Sequence, residues 1–150
     1  MREVAKAASD RSLLTKTFSE IFIINALGTL LLSLVFLVFI IALPQLAAEK
    51  SLFSWALGYF ILQVFQLEWF FSGMNQFKFI AIRSLVIRLC FIAAVFLFIR
   101  NTNDYVNYFR MQVGLAVILA AFNGKRLWKL LDFSGLSFAK LELKKHIKPI

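Results

Sequence analysis

From Ile21 to Ala48 the sequence carries no charged side chain, and that run decides the class of fold. An α-helix rises about 1.5 Å per residue, so roughly 20 apolar residues cross a hydrocarbon core about 30 Å thick. Ile21 to Leu43 meets that length and is closed by Pro44, which lacks the N–H a continuing helix needs. The remainder is of the same kind. With 61% hydrophobic residues, eighteen Phe and only two Pro, the 150-residue chain has more apolar surface than a soluble domain of its length buries. Three further spans follow: Leu52 to Phe71, with Glu68 in its last turn; Phe79 to Ile99, with Arg83 and Arg88 in its first half; and Tyr105 to Phe122, least hydrophobic at its entry, where Asn107 and Arg110 stand. The expected fold is therefore an all-α integral membrane region of four transmembrane helices with a basic tail over residues 123–150. Met1 to Glu20 is mixed in charge and has no short apolar core followed by a small-residue cleavage site, so it does not read as a signal peptide.

Orientation follows from the basic residues. With the N-terminus inside, fourteen Lys and Arg fall on the inner side and three, Lys50, Arg100 and Arg110, on the outer. This asymmetry predicts that both termini are cytoplasmic, with outer loops near Ala47 to Lys50 and Asn101 to Asp104. Trp55 and Trp69 at opposite ends of the second span, Trp128 past the fourth, and Tyr105 and Tyr108 at its other end agree with interfacial aromatic belts. A net charge of +9 does not point to nucleic acid, because the charges come in blocks between spans and no exposed soluble module carries them. In the tail, Leu136, Phe138, Leu141 and Leu143 interleave with Lys140, Lys144 and Lys145, the pattern of an amphipathic segment drawn to anionic headgroups of membrane lipids.

The segment QLEWFFSGMNQFKFIAIRSLVIR, Gln66 to Arg88, collects the mid-sequence charges. Ser72 to Asn75 reads as a tight turn at the inner boundary, with Lys78 an interfacial anchor beside it. Glu68, one turn from that boundary, reaches headgroup water, pairs with Lys78 or Arg83, or lines a polar cavity. Arg88 lies roughly 13 Å into the third span. It either snorkels back to the interface or faces protein or a water-filled cavity, since a lipid-facing arginine is costly there. Arg83 and Arg88 stand about 140° apart around a helix, so both cannot point along one line. Asn25, Thr29, Gln63, Gln66 and Gln112 either line a polar lumen or hydrogen-bond between packed spans. Gly28, Ser33, Gly58 and Gly114 read as close-packing positions, and Cys90, between Leu89 and Phe91, as a small buried apolar side chain. An enzyme would need paired carboxylates, a histidine-based acid and base, or a metal site near an interface. The acidic residues are scattered and the one histidine, His146, lies in the lysine-rich tail, so neither a catalytic residue nor a metal ligand is expected.

Four stretches also carry a resemblance. EWFFSGMNQFKFIAIRSLVIR resembles the hairpin of the Wzx-type O-antigen and lipid-linked polysaccharide flippases, in which an E-W-F-x-x-G turn leads into F-x-x-I-x-x-R-S and a basic helix. REVAKAASDRSLLTKTFSEIFIIN (Arg2 to Asn25), NTNDYVNYFRMQVG (Asn101 to Gly114) and LELKKHIKPI (Leu141 to Ile150) resemble, in the right order, the basic loop with its F-S-E motif, a short outer loop with the next span, and a basic linker. The last span, VGLAVILAAFNGKRLWKLL, departs from the family pattern, so no role passes to Asn123 or Lys125.

The resemblance implies a MATE-like transporter of two helical bundles around a central cavity. Within such a transporter this chain would correspond to an internal piece, from after the second span to the threshold of the seventh, inactive alone. It implies flipping of an undecaprenyl-pyrophosphate-linked oligosaccharide across the bacterial inner membrane for O-antigen or other polysaccharide synthesis. No cofactor is implied beyond coupling to a proton or sodium gradient, and the partners are the lipid-linked oligosaccharide, membrane lipids and the polysaccharide polymerase with its chain-length machinery. The substrate-binding candidates are Arg88, Arg83, Glu68, Asn25 and Gln63. A complete four-span GtrA-like translocase of bactoprenol-linked sugars, or a non-transporting assembly subunit, fits the length and span count as the alternative.

Overall fold

The computed structural model describes residues 2–43, 49–101 and 104–132. All regular structure among them is helical: α1 (Arg2–Ala7), α2 (Arg11–Ala42), α3 (Lys50–Leu62), a 3-10 turn (Gln63–Gln66), α4 (Glu68–Gly73), α5 (Phe77–Phe98) and α6 (Tyr105–Leu130). Three helices, α2, α5 and α6, are long and apolar enough to cross a membrane. The expected second span, Leu52 to Phe71, is not one helix. α3 ends after 13 residues, the 3-10 turn tightens the chain, and Leu67 adopts the left-handed conformation at φ 53°, so Glu68 opens α4 instead of closing a span.

The other helices outrun the apolar stretches that announced them. α2 begins ten residues ahead of Ile21, at Arg11, because Asp10 caps it. The Asp10 carboxylate accepts from the Ser12 amide and hydroxyl, both at 2.8 Å, and from the Leu13 amide at 3.4 Å, filling orphan donors of the first turn. Those bonds, the Ser12 hydroxyl first among them, hold the carboxyl below its ordinary range. α6 continues through Asn123 to Leu130, so the expected tail starts inside a helix. The tail from residue 133 on, with Leu141 to Ile150, lies outside the described residues, as do positions 44–48 and 102–103 of the two outer loops.

Burial is distributed inside out. The apolar core of Val4, Ala7, Leu14, Phe18, Leu67, Phe70, Phe71 and Leu131 is built from α1, the first turns of α2, the break, α4 and the end of α6. It therefore sits at the end of the bundle that carries the N-terminus. Phe18 stacks on Trp69 at 5.7 Å and meets Phe70 edge-on at 5.0 Å, while Phe71 meets Phe79 at 5.0 Å. Beyond this core the long helices leave leucine, valine and phenylalanine outward, as lipid-facing helices do. Past Glu20, the buried residues of α2, α5 and α6 are Ser33, Arg83 and Asn123, all polar. Arg83 and Asn123 bond between helices there, alongside aromatic contacts such as Phe36 with Phe53 at 6.3 Å and Phe91 with Tyr108 at 5.2 Å.

Two readings of small side chains are corrected here. A Cβ added at Gly28, Gly58 or Gly114 meets nothing within 4 Å, so these glycines mediate no close approach among the described residues, whereas Ser33 is buried as a packing position would be, its hydroxyl bonded back to Thr29 at 2.7 Å. Cys90 is exposed on α5. Its apolar neighbours reported a lipid-facing surface, which sequence alone does not separate from a core.

The turn after α4 is as expected in place and specific in chemistry. Asn75 takes the left-handed conformation at φ 54°, the Gln76 amide donates to Phe71 at 2.9 Å and the Asn75 amide to Ser72 at 3.0 Å. These paired bonds form a Schellman closure, with asparagine where glycine is commonest. Arg126 of α6 donates to the Gln76 side chain at 3.2 and 3.3 Å and lies over the Phe79 ring, so the end of α6 is docked on the turn.

A candidate site around a broken helix

A helix broken into a 3-10 turn and a left-handed residue strands carbonyl oxygens that a continuous helix would have bonded. In a membrane those oxygens need partners from neighbouring helices. Asn123 of α6, with no exposed surface, supplies them: its amide donates to the carbonyl of Phe65 at 2.7 Å and to that of Gln66 at 2.8 Å. Its own side-chain oxygen accepts from Arg83 of α5. Arg83 also reaches the Gln66 carbonyl and the Glu68 carboxylate, both at 3.4 Å, and its guanidinium lies 5.7 to 5.8 Å from the Phe79 and Phe71 ring centres. One hydrogen-bonded knot therefore joins α5, α6 and the break.

Two cavities flank that knot and share Gln66 and Glu68 on their walls. The larger, about 400 Å³, lies among α3, α5 and α6; Tyr59, Ser84, Arg88 and Gln112 supply its other polar side chains, over an apolar floor that includes Ile87, Phe91 and Leu115. The smaller, about 260 Å³, is bordered by Asn25 and Thr29 of α2, by Gln63, Val64 and Leu67 of the break, and by Trp69.

The five candidates thus separate into three places. Arg88 and Glu68 face the larger cavity, while Asn25, Gln63 and Glu68 border the smaller. Arg83 belongs to neither; it is 7% exposed and turns its two terminal nitrogens to the knot, while its Nε is buried without a partner among the described residues. The 140° between the two arginines is what parts them: Arg83 is buried under the break, and Arg88, exposed on α5, lines the cavity. Glu68 takes the Arg83 partner, with Lys78 exposed on the far side of the turn. Among the described residues Arg88 forms no ion pair. It stands eleven residues into α5, roughly 16 Å from the start of that helix.

Asn123 and Trp69 were missed as site residues. A signal for Asn123 existed, since an amide directly after the apolar run from Val113 to Phe122 must find a partner or stay in reach of water. Trp69 was read as an interfacial anchor, and its place beside the smaller cavity depends on the break at Leu67.

The larger cavity combines a guanidinium unpaired among the described residues with hydroxyl and amide groups around an apolar floor, which suits an anionic group attached to a polar or amphiphilic body. A family model described as polysaccharide biosynthesis protein matches residues 1–146. No curated protein and no solved structure matches the chain.

Proposed function

The chain belongs to the polysaccharide biosynthesis protein family, and on that premise we propose that it serves, as part of a Wzx-type flippase of MATE-like architecture, to move undecaprenyl-pyrophosphate-linked oligosaccharide across the bacterial inner membrane. The observation that carries this reading is Arg88, an arginine that forms no ion pair among the described residues and borders a 400 Å³ cavity in the middle of a membrane-long helix. A pyrophosphate crossing a low-dielectric core needs a compensating charge. Arginine suits the task because its planar fork donates several hydrogen bonds to phosphate oxygens and stays charged. The work is transport without covalent chemistry, so positioning groups suffice and no catalytic residue is assigned.

In this reading α3, the 3-10 turn and α4 act together as a fourth crossing. Their summed rise, about 36 Å at 1.5 Å per α-helical and 2.0 Å per 3-10 residue, matches a bilayer core although no piece spans it alone. Broken helices beside a central site are a common device of transporters, whose freed backbone groups line or brace the cavity. Both termini are then cytoplasmic. A cysteine placed at Asn75 is expected to label only from the inside, and labelling by an impermeant reagent added outside intact cells would reverse the orientation.

Cells from which the protein is deleted are expected to accumulate lipid-linked repeat units in the inner leaflet and to lose surface polysaccharide. Re-expression restores both. Normal surface polysaccharide with no lipid-linked intermediate accumulating would reject translocation; loss of polymer with the repeat units already in the outer leaflet would favour an assembly role.

A further inference from the structure

The smaller cavity differs from the Arg88 cavity in chemistry, and the difference has a use. Its walls present three side-chain amides, Asn25, Gln63 and Gln66, the Thr29 hydroxyl and an indole, with Glu68 the one charged residue. The Glu68 carboxylate lies at hydrogen-bond distance from Arg83, which offsets its charge. Neutral groups that donate and accept, beside a flat aromatic, match the ring hydroxyls and C–H face of a sugar. Gln63 accepts from the Gln66 amide through its oxygen, and its own amide keeps two N–H donors. Trp69 is held in place before any ligand arrives, stacked on Phe18 at 5.7 Å and edge-on to Phe70 at 5.9 Å. Size argues against a bare cation. A volume of 260 Å³ holds about nine waters at roughly 30 Å³ each, whereas a cation is gripped by oxygens at about 2.3 to 2.6 Å.

We infer that this cavity is a glycan subsite, in which Asn25, Thr29, Gln63 and Trp69 hold a sugar of the lipid-linked oligosaccharide while the adjoining Arg88 cavity holds its pyrophosphate. The inference rests on the translocation reading and adds a division of labour to it. Gln66 and Glu68, which border both cavities, form the partition between them, so a substrate bound in this way straddles the broken helix. Sugar recognition is thereby assigned to α2 and the break, and phosphate recognition to α5.

The test uses the protein in nanodiscs with two probes: lipid-linked glycan extracted from the native host, and undecaprenyl pyrophosphate without sugar. In a background with Trp55→Phe and Trp128→Phe, Trp69 emission is expected to shift with the glycan-bearing lipid and stay constant with the bare one. Asn25→Ala combined with Thr29→Val is expected to weaken the glycan-bearing lipid about tenfold, the equivalent of one or two neutral hydrogen bonds, and to leave the bare lipid unchanged. Arg88→Ala is expected to weaken both. If the α2 double variant binds both lipids like the parent and Trp69 is silent, the subsite is wrong, although an Arg88 effect on both lipids would leave translocation standing. If the parent protein binds neither lipid, the translocation reading fails and the subsite with it.

Discussion

Asn123→Leu is expected to destabilise the protein by about 2 to 5 kcal/mol, because it leaves several buried hydrogen-bonding groups without a partner at about 1 to 3 kcal/mol each. Leucine keeps the branched heavy-atom skeleton of asparagine but is bulkier, so at this fully buried position the loss of hydrogen bonds is joined by some overpacking. Three consequences follow from one side chain. The Phe65 carbonyl loses its donor, the Gln66 carbonyl keeps only Arg83 at 3.4 Å, and Arg83 loses an acceptor while buried. Each buried group left unsatisfied costs about 1 to 3 kcal/mol, and a charged one more. Asn123→Asp separates the terms. Aspartate would pair with Arg83 but has no N–H for the two carbonyls and would set oxygen against oxygen, so it is expected to be nearly as damaging as leucine. Thermal unfolding in detergent, with matched expression, reads both variants. A leucine variant that melts with the parent would show that the break holds its shape without the knot.

Arg88→Ala is expected to leave the protein folded and at parental abundance while cutting polysaccharide export by tenfold or more, the loss of at least one charge-assisted hydrogen bond to phosphate. Arg88 makes no ion pair among the described residues, so its removal orphans no partner. What it holds in place is a charge at a depth where scales of helix insertion put an arginine at about +2.5 to +3.5 kcal/mol. Such a cost is sustained where water or an anion solvates the group, and the cavity beside Arg88 provides room for either. Arg88→Lys retains charge and loses the fork, so partial export is expected. Lys78→Ala, exposed next to the turn, should be nearly silent. Arg83→Ala supplies the contrast, because it undoes the knot and should lower abundance before it touches transport. Export at the parental rate by Arg88→Ala would reduce Arg88 to a snorkelling side chain.

How far the sequence could be read differs from residue to residue. The apolar run from Ile21 onward required a helix in lipid, since an uncharged segment of that length leaves its backbone no other way to satisfy its hydrogen bonds there. α5 begins within two residues of its expected start for the same reason, and the turn through Asn75 was announced by Ser72, Gly73 and Asn75. Cys90 and the glycines were misplaced because apolar neighbours mean burial in water and exposure in lipid. The chemistry of Arg88 as a deep cation was likewise visible, and its depth singled it out over Arg83 as the arginine to face a cavity. Helical phase separates them by about 140° without saying which face points inward.

The break was invisible for a deeper reason. Gln63 to Leu67 contains neither glycine nor proline, and a left-handed leucine costs about 1 to 2 kcal/mol locally, so every local rule favours a continuous helix. It exists because Asn123, more than fifty residues later in the chain, and Arg83 together satisfy the carbonyls it strands. Apolar length and the spacing of charge are sums over neighbours in sequence, and they determined the membrane helices. The broken helix, the knot and the two cavities depend on donors and acceptors that meet only when three helices pack, and tertiary structure alone decided them.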